Sequence, residues 1–211
     1  MKTNWNEAVK PLIKKYNRKK HPLDYNSIYE LMVMVVLSAQ STDKLINDIA
    51  PALFKAYPTI ESLSRASVDD LKPYIGKVRS FFKKAEWLIK IAQQIKKDKN
   101  IPLTMEGLVA LPGIGRKSAN VIMRESKVKA EGIIVDLHVL RVAPRIGIAS
   151  VANSEDATKM EKELMLAVEE KSWGEIGMAI SFLGREICRP TDPAHEKCVM
   201  NKVCAYYAKN K

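Results

Sequence analysis

The sequence predicts an all-α protein, and three observations predict it. Apolar residues recur at three- and four-residue spacing between polar ones over Glu30 to Leu37, Ile46 to Tyr57, Ser67 to Tyr74, Lys84 to Lys96 and Lys159 to Glu169. Short hydroxyl and carboxylate side chains stand where several of these stretches begin, as helix N-caps do. No two alternating runs are joined by Asn-Gly or Asp-Gly, so sheet is not expected to be a major component.

Taken in order, Glu30 to Leu37 contains the longest apolar run, LMVMVVL, which stops at Ser38. That is far short of the roughly 20 residues needed to span a bilayer, and no membrane association is expected. Ser41-Thr42-Asp43 precedes KLINDIAPALFKAY, where Pro51 is expected to bend or divide the helix. Ser67-Val68-Asp69-Asp70 precedes LKPYI, and Asn153-Ser154-Glu155-Asp156 precedes ATKMEKELMLAVEE. Between them, LVALPGIGRKSANVIMRE reads as a short helix ending near Ala110, a tight turn at Pro112-Gly113-Ile114-Gly115, and a helix from about Arg116. After Gly184-Arg185 the chain becomes loop-like and holds all three of its cysteines. Neither an internal repeat nor a low-complexity tract is present.

Composition narrows the function. The chain has 211 residues, 35 Lys and Arg against 24 Asp and Glu, a net charge of +11 and a pI of about 9.5. Such a balance attracts polyanions, with strongly salt-dependent binding. The lysine clusters KKYNRKK, KVRSFFKK and KKDKN are also what solvated helix faces contain, so no single cluster decides the matter. The basic N-terminal stretch lacks the apolar segment of a secretory signal, and cysteine is sparse. A reducing, cytoplasmic setting is expected, nucleoid-associated if prokaryotic. Nothing argues for an oligomer, so a monomer is expected.

In the turn at 112–115, two glycines flank one apolar residue, which lets the backbone turn sharply and approach another molecule closely. Peptide N–H groups at a helix N-terminus suit phosphate, although ordinary helical hairpins also use glycine.

LPGIGRKSANVI resembles the helix-hairpin-helix of the endonuclease III branch of DNA base-excision glycosylases. VDLHVLRVAPRIG, from Val135 to Gly147, lies where that superfamily carries its V-D-x-H segment, and VVLSAQSTDKLIN resembles the family's L-L-S-A-Q-x-T-D. The likeness runs from about Tyr29 to Cys204. It implies a two-lobed helix-hairpin-helix DNA glycosylase fold with a DNA-binding cleft and a C-terminal metal-binding loop. One helical domain, residues 21–131, would carry the hairpin; residues 1–20 plus 132–211 would form the second. The implied partner is double-stranded DNA containing a damaged base or abasic site.

The resemblance also assigns roles. Lysine at position 117 implies a bifunctional enzyme, a glycosylase and AP lyase, acting on oxidised pyrimidines through a Schiff base. The amine must be neutral to attack, which a helix N-terminus and a partly buried cleft both favour. Alone, Lys117 is equally an exposed helix lysine or a phosphate contact. Asp136 matches the carboxylate that assists base departure and stabilises charge on the sugar; as a residue it is also a good N-cap for the helix that follows. His138 reads as structural, and Arg141 as a phosphate or carboxylate partner. Gln40 matches a position that fills the gap left by a flipped base, and Gly113, Ile114, Gly115 and Arg116 form the hairpin's DNA contact.

Three departures stand out. Where relatives read I-G-L-Y-N-S-K-A, this chain reads VRSFFKKA, with Arg79 for a turn glycine and Ser80 for an apolar wedge; Phe81 or Phe82 would then supply the wedge or belong to the core. Leu137 replaces a small polar residue beside Asp136. Another lesion or a mismatch is therefore the rival substrate. Last, the family's C-x6-C-x2-C-x5-C reads here as Cys188, His195, Cys198 and Cys204. A [4Fe–4S] cluster with Cys3His ligation, tetrahedral zinc, and a metal-free loop with free thiols all remain open. The rivals of another class are a non-catalytic helix-hairpin-helix DNA-binding module and a structural metalloprotein.

Overall fold

The computed structural model describes residues 3–210 and contains α-helices and 3-10 turns, with no strand among the described residues. In chain order the helices are α1 (Trp5–Ala8), α2 (Lys10–Tyr16), α3 (Ile28–Ser38), α4 (Asp43–Ala56), α5 (Ile60–Leu63), α6 (Val68–Ile75) and α7 (Phe81–Ile95). They continue with α8 (Met105–Val109), α9 (Arg116–Glu125), α10 (Leu137–Ile146), α11 (Ala157–Ala167), α12 (Trp173–Glu186) and α13 (Ala205–Lys209). The chain divides into two compact units, Lys20–Val128 and the residues up to Lys19 together with those from Lys129 on.

In the unit Lys20–Val128, α3 is the central element, in contact with α4, α7 and α9. Tyr29 and every residue from Leu31 to Leu37 are buried, so the helix is apolar all round, as a helix covered on several sides must be. Its start is capped by Ser27, which accepts the Glu30 N–H at 3.1 Å. Its end is capped from a distance: Lys84 of α7, itself buried, donates to the carbonyls of Leu37 at 2.8 Å and Ala39. A lysine from the KVRSFFKK cluster thus completes a helix C-terminus, where a cation and free carbonyls suit each other. Burial pushes the Lys84 ammonium down, with the Arg79 charge adding to the effect.

The helix expected to bend or divide at Pro51 is not divided. α4 runs from Asp43 to Ala56 through the proline, with Ile46, Ala50 and Leu53 buried on both sides of it. Anchoring on both flanks outweighs the local loss of one backbone hydrogen bond. Thr42, Ser67 and Asp156 cap α4, α6 and α11 through their side chains, each at the junction where the sequence places a cap.

In the other unit, α12 packs on α2 and α10, and α10 also meets α13. Nine consecutive residues of α12, Ile176 to Gly184, are buried. Its glycines permit the close approach: a Cβ on Gly177 would fall 2.4 Å from the Ile134 carbonyl oxygen, and one on Gly184 would fall 2.9 Å from the His138 Cβ. The segment before α10 and α10 itself therefore lie directly on α12.

Candidate functional site

The hairpin forms as the sequence predicts, with α8 ending at Val109 and α9 starting at Arg116. Its two glycines have different reasons to be there. Gly113 has φ 78°, and a Cβ on it would meet the Trp87 ring at 2.4 Å, so both conformation and packing require glycine. Gly115 has an ordinary extended backbone, φ −95°, and a Cβ there would meet nothing within 4 Å. The fold itself does not require that glycine. Ile114 is buried and anchors the turn, while Arg116 is exposed.

Lys117 occupies the first turn of α9, beside Arg116, and no carboxylate lies in that turn. Two cations at a helix start run against the macrodipole, a local cost characteristic of positions held for function. Partial burial of Lys117, expected to favour a neutral amine, is not found: the residue is exposed. The reason is helical phase, since Ala119 to Met123 supply the buried face of α9.

Close to Lys117 electrostatically is a titratable group that the sequence reading missed. His21 is held near pKa 4, well below its usual range, chiefly by burial; Glu125 and Asp43 oppose the effect while Lys117 and Arg124 add to it. His21 Nδ1 accepts the Leu23 N–H at 3.1 Å, which leaves Nε2 to carry the proton of the neutral ring. Tyr25 donates to the Glu125 carboxylate, which Arg124 also engages. Because folding depresses this pKa, the unfolded chain binds the proton first as pH falls below about 6.5. Stability is expected to drop between that pH and about 4, by on the order of 3 kcal/mol if His21 alone changes. Urea unfolding of wild type and His21→Gln across that range checks this, and the variant should show a flatter profile.

Gln40 and Ser80 both adopt left-handed backbone, at φ 57° and 58°. For non-glycine residues this costs roughly 1–2 kcal/mol each. The turn expected to need glycine at position 79 thus takes its left-handed residue one position later. Phe82 is 59% exposed and Phe81 half-buried, their rings 4.2 Å apart, so Phe82 does not belong to the core.

In the other unit, Asp136 is the N-cap of α10: its Oδ1 accepts the N–H groups of His138 and Val139, both at 2.9 Å. Its Oδ2 accepts the Ser181 hydroxyl at 2.6 Å. Ser181 is fully buried on α12, between Gly177 and Gly184 on one helical face, and this partner was not foreseen. The G-x3-S-x2-G spacing was its only sequence signal. Leu137, next to Asp136, is 79% exposed. Arg141 is turned inward, donating to the carbonyls of Gly184 at 3.0 Å and Cys188 at 3.3 Å and meeting His138 Nδ1 at 3.2 Å. As placed, it ties α10 to the end of α12.

The C-terminal loop gathers its thiols but not a ligand set. Cys188 and Cys204 are buried and Cys198 half-buried. Burial pushes the Cys198 thiol up against a hydrogen bond from the Met200 N–H, and its neighbours Cys204 and Cys188 push it further. The His195 ring, however, stacks on Tyr207 at 4.8 Å and on Tyr206 at 5.8 Å. Among the described residues no group of three or more His, Cys, Asp or Glu side chains is arranged to hold a metal ion. Arginine ties the loop down as well, Arg145 donating to the carbonyls of Arg189 at 2.7 Å and Pro190 at 2.9 Å. Among the described residues no helix is long and apolar enough to cross a membrane.

Comparison with known proteins gives one consistent answer. Residues 33–170 match the HhH-GPD superfamily of base excision DNA repair proteins. Endonuclease III of Haemophilus influenzae is 32% identical over 211 residues, covering 98% of each chain. Endonuclease III of Rickettsia felis is 35% identical over 190 residues, 89% of this chain and 87% of the relative. The solved structure of a trapped endonuclease III–DNA covalent intermediate superimposes with a TM-score of 0.85 at 28% identity, covering 100% of this chain and 99% of the other.

Proposed function

The chain belongs to the HhH-GPD superfamily of base excision DNA repair proteins, and from that premise we propose that it is a bifunctional DNA glycosylase and AP lyase. Its substrate on this reading is double-stranded DNA carrying an oxidised pyrimidine or an abasic site, encountered in the cytoplasm. The observation that carries the proposal is the first turn of α9. Arg116 and Lys117 stand there against the helix dipole, directly after Gly115, a glycine that neither backbone conformation nor packing within the chain requires.

In the reaction, the Lys117 amine forms a bond to the deoxyribose C1′ as the glycosidic bond breaks, and the base leaves with the bonding electrons and takes up a proton. Ring opening gives a Schiff base, which acidifies the C2′ hydrogen. Loss of that proton expels the 3′ phosphate by β-elimination. Asp136, fixed by two peptide N–H groups and the Ser181 hydroxyl, assists base departure and stabilises positive charge on the sugar. Gln40 fills the space of the flipped base; its left-handed backbone is the kind of strain found at functional positions. Gly113, Ile114, Gly115 and Arg116 bind the DNA backbone, while Arg141, in the unit that carries Asp136, ties α10 to the end of α12 from inside.

The test is borohydride trapping on a panel of duplexes, each with a single lesion. Adducts on oxidised pyrimidines and abasic sites are expected. Trapping or base release only at a mismatch would move the substrate assignment, and neither activity on any duplex would leave a DNA-binding module.

The same reading takes Cys188, His195, Cys198 and Cys204 as ligands of a [4Fe–4S] cluster. It is supported by the donor chemistry, the spacing and the shared neighbourhood of the three thiols. Among the described residues these side chains are not arranged around a metal position, so loading a cluster would draw them together. A cluster would tie the loop and present Lys197 and Lys202 to DNA. Protein from iron-replete cells is then expected to be coloured, with about four irons per chain. Colourless protein with stoichiometric zinc overturns the cluster, and protein with neither metal overturns the metal site.

A further inference from the structure

Lys83 and Trp87 are four residues apart on α7, so they share one face of the helix. The Lys83 Nζ lies 5.1 Å from the centre of the Trp87 ring, within cation–π range. The same ring also abuts the hairpin: a Cβ added to Gly113 would meet Trp87 Cε3 at 2.4 Å and Cδ2 at 2.9 Å. Trp87 is half-buried and Lys83 exposed, and among the described residues no carboxylate engages Lys83. An ammonium thus rests on the ring that abuts the glycine turn, paired with no carboxylate among the described residues.

We propose that Lys83 is a DNA-phosphate contact belonging to the hairpin's backbone seat, and that Trp87 is the positioning residue that brings it there. The inference rests on the reading of the hairpin as a DNA-binding element and adds to it a side-chain cation from a separate helix. The seat formed by Gly113–Gly115 offers peptide dipoles and the Arg116 side chain; Lys83 supplies a further full charge. The aromatic ring does two things at once. It fills the space that only a glycine at position 113 leaves open, and its π-face limits where the Lys83 ammonium goes. A lysine restrained in this way loses less freedom on meeting a phosphate than one on an open surface.

The measurement is the salt dependence of binding to an undamaged duplex, where no chemistry intervenes. Each phosphate neutralised contributes about 0.9 to the slope of log K against log salt. Lys83→Gln is expected to lower the slope by about one and to weaken binding alike on undamaged and lesion-bearing duplexes. Trp87→Leu should lose the same increment with Lys83 still present, and the double variant should lose no more than either single one. An unchanged slope in Lys83→Gln overturns the contact. Loss in Lys83→Gln without loss in Trp87→Leu overturns the positioning role. Gly115→Ala separates this from failure of the hairpin reading itself: its methyl group meets nothing within the chain, so weakened binding by folded protein supports the seat. Wild-type binding in Gly115→Ala removes the seat and the inference with it. Circular dichroism melts accompany each variant, and Trp87→Phe, which keeps an aromatic face, should restore the slope if Trp87→Leu is destabilised.

Discussion

Replacing Lys117 with alanine is expected to abolish the borohydride-trapped adduct and the strand cleavage that follows base loss. Single-turnover base release should fall by at least about a thousandfold, the scale of losing a nucleophile that acts within a catalytic unit. The fold should not notice. Lys117 is exposed in the first turn of α9, alanine is the better helix former, and an exposed substitution of this kind stays within about 0.5 kcal/mol. Lys117→Arg makes the result specific. It keeps a cation for phosphate but no attacking amine at neutral pH, so it should bind DNA like the wild type and form no adduct. Normal trapping in either variant would place the nucleophile elsewhere.

Asp136→Asn is expected to lower the rate by about 10²- to 10⁴-fold, the range for a positioned acid–base or charge-stabilising group. Its structural cost should be small, because asparagine caps helices about as well as aspartate. The amide oxygen can keep both the His138 and Val139 N–H bonds now made by Oδ1, and the Ser181 hydroxyl can rotate to accept from the new NH2. Thermal melts and single-turnover assays on the same preparation separate the two roles. Activity near wild type would reduce Asp136 to a cap. Ser181→Ala removes one donor and keeps the carboxylate, so its rate loss should be the smaller of the two.

These variants bear on how much was readable before the fold. The caps at Thr42, Ser67, Asp136 and Asp156 were legible because capping is local, a side chain reaching two or three residues ahead. The hairpin was legible for a similar reason, its turn being written in four consecutive residues. α12 was not, since it is buried on nearly every side over Ile176 to Gly184 and so has no polar stripe to mark its period. At Pro51 a local rule suggested a bend or a division, and the division is absent because burial on both flanks of the proline holds one continuous helix.

By itself the sequence determined the all-α class, the starts of the helices capped by Thr42, Ser67, Asp136 and Asp156, the glycine turn and the placing of Lys117 and Asp136 at helix starts, because each depends on residues within a turn or two of one another. Only the tertiary structure decided that Lys84 caps α3 from 47 residues away, that Ser181 reaches Asp136 across 45, and that His195 rests on Tyr207. It also separated the two glycines of the hairpin, one required by Trp87 and one that the chain does not require. Such pairings depend on which faces meet when apolar helices are buried together, and no local spacing encodes that choice.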